Sequence, residues 1–443
     1  MYGVIKTILF ATWIHTVASW VTVNSPKCWR RTNSLLQASS DSSSWQSHVS
    51  THPVGTSALQ KVLDELPDSD TPDIAFMFVG QSHAADFGAL VQKCSSYFGP
   101  DTHLISVVGG GVIGEGKELD IPTQPCLSIM TGKLPEDGSV KIQDPQTSKL
   151  DEDGDFLLFA DPFADVEGIV GKLETSSSLL AGGISCPLSN DLPSVAYMNQ
   201  ELPVGSAITV QLLGSVGLQT VVAQGCRPVG DEVLTVTDVY KEQVITKLNG
   251  KPAMEVLQQM ANEANSEDQK LIETGLLCGI ASSDGDGDYL SRQIGGFVPA
   301  LNGILIGTKS IKKGDRLCFQ VRDAKIAKQD FKWMVDRTKA ARLVDGSIRP
   351  LAALQISCVA RGRSMFDEPN IDVSNTIEML PDDHPVVGGF FANGEIGPVG
   401  ISGGSSRQIK PSHVHGFTTV VAVICDKSSV KDNKTDEVMD AWG

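Results

Sequence analysis

Between residues 126 and 225 the chain runs through seven short apolar stretches: CLSIMTGKL, SVKIQD, FLLFAD, LLAGGIS, VAYMNQEL, AITVQLLG and QTVVAQG. Each has the length of a strand and is bounded by turn-forming residues. Short strands spaced so closely argue for antiparallel sheet, because parallel neighbours need a crossover of a dozen residues or more. One helix, at about 164–177, interrupts them. Upstream, DIAFMFVG (73–80) reads as a buried strand, HAADFGALVQKCSSYF (83–98) as a helix and HLISVVG as a further strand. A second unit opens at VITKLNGKPAMEVLQQMANEA, where Asn249-Gly250 turns the chain and Pro252 occupies the first turn of a helix. An amphipathic helix (324–343) and the strands LAALQISCVA and HGFTTVVAVIC follow. The expected architecture is α+β in two domains, 56–243 and 244–427, each a mainly antiparallel twisted sheet packed with helices, with a polar tail at 428–443.

A chain of 443 residues exceeds what one core usually serves. Its formal charge of −17 argues against nucleic acid or an anionic membrane surface as partner. The nine cysteines are scattered singly, which points to reduced thiols and not to a disulfide framework or a zinc site. Residues 1–40 hold Lys6, Lys27, Arg30 and Arg31 and no acid. Residues 1–19 look like a signal peptide, and 20–55 like a transit peptide and linker, with Trp20 at the junction. This two-part pattern predicts delivery to a plastid, with mitochondrion and secretion as alternatives. Its apolar stretch is too short to span a membrane, so the mature chain is expected to carry no integral membrane segment.

Familiar motifs lead nowhere. GGGVIG (109–114) fits a dinucleotide fingerprint, but Pro122, Pro125 and a strand follow where a helix is needed, so a tight turn between strands is expected. DGDGD (284–288) has Tyr289 and Gly295 where a calcium loop needs Gly and Glu, and reads as a solvated acidic turn. His413 and His415 share a strand face but have no third ligand at useful spacing. No metal and no cofactor are expected.

Two stretches say more. In QISCVARGRSMFDEP, a strand runs into Arg361-Gly362-Arg363, whose guanidiniums point the same way if the strand continues. Arg forks suit a carboxylate or phosphate, although one could instead pair with an acid such as Glu395. Cys358, three residues before Arg361, is either a buried inert thiol or one activated by the Arg. In VVGGFFANGEIGPVGISGG (386–404), seven glycines surround one acid, Glu395, and one amide, Asn393. Such a loop implies a sharp turn or a ligand lying against bare backbone.

SCVARGRSMFDEPNID, VVGGFFANGEIGPVG and SHVHGFTTVVAVI together resemble the C-terminal half of the FIST domain family. VVGGGVIGEG, LLAGGIS, VAQGCRPVG and VITKLNGKPAMEVL resemble its N-terminal half, in the same order. The resemblance spans about 70–425 and implies a sensory or ligand-binding module for small molecules such as amino acids; it brings no catalytic set with it. No F-box bundle is expected before residue 70 and no output domain after 425. Arg361, Gly362, Arg363, Asn393, Gly394, Glu395 and Gly397 are expected to form one site, with Cys358, His413 and His415 nearby. Glu395 would take a ligand's ammonium and an Arg its carboxylate. Three readings stand open: a small-ligand or protein-partner module in a plastid, a cysteine enzyme using Cys358 with His413 or His415, and a structural partner in a plastid assembly.

Overall fold

The structure is a computed structural model describing residues 45–67, 71–148, 154–173, 178–230, 233–281, 289–307, 311–345, 348–381, 385–403 and 409–428. Residues 1–44, on which the targeting expectation falls, the acidic run 284–288 and the tail from 429 lie outside these residues.

Four sheets carry the fold. The first orders Gln46–Ser50, Leu127–Gly132, Ile74–Gly80, His103–Gly109, Val195–Tyr197 and Gln200–Glu201. The second orders Ser412–His415, Glu395–Pro398, Leu180–Ile184, Asp155–Ala160, Ala207–Gly214 and Gly138–Gln143. The third orders Gly400–Gly403, Val216–Ala223, Thr419–Asp426, Arg349–Cys358, Val387–Ala392, Val112–Gly114 and Lys117–Leu119. The fourth is built from strands between Cys226 and Arg322. The class is α+β with mainly antiparallel pairing. The second and third sheets each take strands from both sides of residue 244, so the halves of the sequence share sheets.

Three pairs depart from antiparallel order: Ile74–Gly80 with His103–Gly109, Asp155–Ala160 with Leu180–Ile184, and Arg349–Cys358 with Val387–Ala392. Each is joined through a helix, respectively Phe87–Phe98, Val166–Leu173 and Ile371–Met379, the last preceded by the short helix Arg363–Phe366. A parallel neighbour needs a long connection, and these helices supply it.

The main core lies where the first three sheets meet. Phe76 contacts Phe159 with ring centroids 6.0 Å apart, Phe78 stacks on Phe390 at 5.4 Å, and Phe159 meets Phe390 at 6.3 Å. All four are buried, and each contributes about 1.5–3 kcal/mol of apolar burial. Gly183 lets the second and third sheets close up, since a Cβ there would press on Ile356 and Phe390. The expected turn at Asn249-Gly250 is present, with both residues at positive φ (49° and 79°), and the helix Ala253–Glu263 starts directly after Pro252. GGGVIG leads from a strand into the strand Val112–Gly114, with no helix at its end. No helix among the described residues is long and apolar enough to cross a membrane.

Candidate functional site

The C-terminal ends of the second strands in the three parallel pairs meet at one place. Backbone hydrogen bonds tie them together: Gly110 N–H to Phe391 O and Cys186 N–H to Val108 O, both 2.8 Å, then Asn393 N–H to Ile184 O and Ile184 N–H to Gly394 O, both 2.9 Å. The end of Arg349–Cys358 joins them through Val359 N–H to Ala392 O at 3.0 Å. Glycine serves the approach at Gly110, where a Cβ would run into the Val359 side chain and approach Cys186 Sγ.

The Arg-Gly-Arg segment does not continue its strand. Arg349–Cys358 ends, the chain turns, and Gly362 takes φ 61°, ψ −143° before the short helix Arg363–Phe366. A side chain at Gly362 would overlap the Asp120 carboxylate. The two guanidiniums therefore do not share a direction, contrary to the period-two expectation. Arg361 turns inward, fully buried, and forks onto Asp372, with Nε to Oδ2 at 2.7 Å and Nη2 to Oδ1 at 2.8 Å. Its other neighbours are Phe417 O (3.5 Å from Nη1) and the Phe366 ring (5.4 Å). Arg363 faces outward with 47% of its side chain exposed, its N–H donating to Asp120 Oδ2 at 2.6 Å and its Nε 3.8 Å from Oδ1.

Asp372 heads a buried polar chain. Thr419 Oγ1 donates to its Oδ2 (2.6 Å) and lies 3.1 Å from Ser357 Oγ, to which Gln355 Nε2 donates at 3.0 Å. Gln355 also donates to Glu118 Oε1 (3.1 Å), which takes the N–H of Val373 as well (2.8 Å). Burial, and then Asp372, push the Glu118 carboxyl up to about 7.

Glu395 is not on a loose loop. It opens the strand Glu395–Pro398, paired with His415 on one side and Gly183 on the other, and it is wholly buried. Oε2 accepts from Thr418 Oγ1 (2.8 Å) and Thr418 N–H (3.2 Å), while Oε1 is buried with no nitrogen or oxygen partner and the Cys358 thiol is the carboxyl's remaining polar neighbour. Burial pushes the carboxyl up to about 8, against the smaller lowering effect of Thr418, so at neutral pH it is an acid. With Oε2 accepting twice, the proton belongs on Oε1. Arg361 is near enough to act on it electrostatically but spends its fork on Asp372.

Cys358 and Cys186 flank this acid, both buried. Burial drives the Cys358 thiol far above its ordinary range and Cys186 up to about 12, with Glu395 adding to each. His415 is also buried, which pushes it down to about 3, and its Nε2–H donates to Gly397 O at 2.8 Å. The ring of His413 sits edge-on to it, centroids 6.2 Å apart. The geometry thus joins Cys358, Arg361, Gly394, Glu395, Gly397, His413 and His415 in or beside one buried layer. It leaves Val359, Arg363 and Asn393 exposed. The Cys358 thiol is thus held away from the thiolate that nucleophilic chemistry needs, and His415 Nε2 is committed to Gly397 O. The eight described cysteines are all buried free thiols.

Asp372, Glu118, Asp120, Thr418 and Cys186 were not singled out by the sequence. Asp372 follows the start of an ordinary amphipathic helix, and no local pattern tells that its partner lies across the turn.

Two family profiles match the chain in succession: the FIST N domain over residues 73–251 and the FIST C domain over 253–398. Among curated proteins, the uncharacterized protein Rv0628c of Mycobacterium tuberculosis (strain ATCC 25618 / H37Rv) is 29% identical over 378 residues, 80% of this chain and 92% of its own length. The uncharacterized protein Mb0898c of Mycobacterium bovis is 30% identical over 329 residues, 72% of this chain and 76% of its own. FIST domains are described as sensory or signal-transduction domains for small ligands. The chain belongs to the FIST family, carrying its N domain followed by its C domain.

Proposed function

We propose that this protein is a plastid sensory module that reads a small carboxylate or amino acid where the strand ends converge. The observation that carries the reading is Glu395: a fully buried carboxyl group whose Oε1 has no nitrogen or oxygen partner and only the Cys358 thiol beside it, under turns from three separate stretches of chain. Buried polar atoms are nearly always satisfied, and an exception asks for a reason. Sites at the C-terminal ends of parallel strands recur in open α/β sheets, and the placement here is analogous. A neutral acid offers a donor, which suits a ligand's carboxylate better than the ammonium first expected. The exposed Arg363 and Asn393 supply further donors, and the ligand lifts the Val359–Gly362 turn, which follows Cys358 beside Glu395. That movement is the signal passed to a partner protein.

A thermal-shift screen of amino acids and small carboxylates tests this. At least one compound raises the melting temperature of the wild type, Arg363→Ala and Asn393→Ala lose that response, and Glu395→Gln, which keeps a donor, retains it while Glu395→Met does not. No response by the wild type, or responses indifferent to all four substitutions, overturns the reading in favour of a structural role. Delivery rests on the acid-free leader: a fluorescent protein carrying residues 1–45 should enter plastids, and cytosolic fluorescence alone would end that part.

A further inference from the structure

Away from the strand ends, three side chains from three elements meet at the surface: His48 on the strand Gln46–Ser50, Glu65 at the end of the helix Gly55–Glu65, and Glu115 at the hairpin between Val112–Gly114 and Lys117–Leu119. His48 Nδ1 lies 3.3 Å from Glu65 Oε2 and 3.7 Å from Glu115 Oε1, and the three donor atoms all fall within 4.8 Å of one another. Donors on a tetrahedral zinc ion with bonds of about 2.0–2.1 Å stand about 3.3 Å apart. The other ring nitrogen of His48 is 3.4 Å from Gln46 Oε1, an atom that only accepts. In the tautomer whose Nε2–H donates to that oxygen, the Nδ1 lone pair faces two carboxylates. That arrangement asks for a cation between them, and an acceptor behind a histidine is the usual outer support of a metal ligand.

Two features fix the third donor. Glu115 and Gly116 sit at φ 48° and 68°, a two-residue hairpin turn in which Asn is easier than Glu. The Val49 N–H holds Glu115 Oε1 at 3.2 Å and Lys117 Nζ holds Oε2 at 2.9 Å. Gly114 brings the hairpin close, since a Cβ there would run into Val49 and Ser47.

We infer that His48, Glu65 and Glu115 form a site for a divalent transition-metal ion, zinc in the first instance, with a fourth position left for water or an outside ligand. Oxygen-only preference and reluctance to dehydrate make magnesium a poor occupant. This differs from the absence of metal expected from the cysteines and the His413–His415 spacing, because the donors here follow no motif and are assembled by the fold. Without metal, the rival arrangement is a doubly protonated His48 paired with the two acids.

The test uses the full chain, stripped with a chelator and titrated with zinc chloride by calorimetry at neutral pH. One equivalent should bind, His48→Asn and Glu115→Gln should each abolish that step, and Gln46→Ala should weaken it by about 10–100-fold. Zinc should raise the melting temperature of the wild type but not of His48→Asn, and magnesium chloride should raise neither. Sub-stoichiometric binding overturns the inference, as does binding that His48→Asn leaves intact. So does a loss of stability in His48→Asn that is the same with and without zinc, which would assign the cluster to an ion pair alone.

Discussion

The layers around Asp372 and around Glu395 both bury a carboxyl group completely, and they do so in opposite ways. At Asp372, Arg361 grips both of its oxygens and Thr419 adds a third donor. Glu395 has Thr418 on one oxygen and no more than a thiol near the other, so burial outweighs its partners and pushes the carboxyl up to about 8. The Asp372 carboxylate itself is closed, with Arg361 and Thr419 on its oxygens, and the result is a lock between the turn after Arg349–Cys358 and the helix Ile371–Met379; Glu118, further along the same polar chain, leaves its Oε2 without a partner. The second is open in hydrogen-bonding terms though sealed from solvent. A fold that satisfies one acid fully and leaves its neighbour half satisfied is not merely avoiding charge. The contrast separates scaffold from candidate sensor within one polar layer.

If the lock is structural, breaking it has the largest effect. Arg361→Ala strips the buried Asp372 of its ion-pair partner and should cost about 3–5 kcal/mol in urea unfolding; Asp372→Ala should cost a similar amount. Because the two share one interaction, the double variant should lose less than the sum of the singles. Additive losses would mean that the pair is not coupled, and the contrast with Glu395 would collapse. Next comes the turn that aims the two arginines apart. Gly362→Ala forces a side chain into a positive-φ position against Asp120 and should cost about 1–3 kcal/mol. A neutral result would show that the turn relaxes freely.

The sequence made the elements legible and left their meeting places hidden. Runs such as DIAFMFVG and LLAGGIS became strands because a continuous apolar run of that length has few other stable outcomes. The sharing of sheets across residue 244 could not be read, since strand pairing between distant segments leaves no local periodicity. The site failed in an instructive way. Cys358, Arg361 and Glu395 do gather, but the reading of Arg361 and Arg363 as a pair assumed that the strand continued through Gly362. A glycine between two arginines is compatible with a ligand's approach and equally with a positive-φ turn, and only the turn explains why one arginine is buried and the other exposed. The lone acid among glycines is expected from the sequence to hold a ligand's ammonium on a loop. In fact the glycines bring strands so close that the acid has no solvent to face.

The subtlest effect is the pH dependence that distinguishes the two acids. Glu395 titrates near 8 in the fold and near 4.5 when free, so between those values the unfolded chain is ionised there while the folded chain still holds its proton. The folded state binds more protons, and stability falls as pH rises through that window, by at most about 1.4 kcal/mol per pH unit. Glu118, raised to about 7, adds a slope of the same sign. His415 acts oppositely: it is held down to about 3 against 6.5, so stability falls as pH drops from 6.5 towards 3. Comparing urea unfolding of wild type and Glu395→Gln at pH 5, 6, 7 and 8 cancels the terms from Glu118 and His415, which both proteins share. The stability of the wild type relative to the variant should then decline steadily across the series. A constant difference would mean that Glu395 is ionised in the fold, and its Oε1 would have to be a charged acceptor awaiting a cation instead of a donor awaiting a carboxylate.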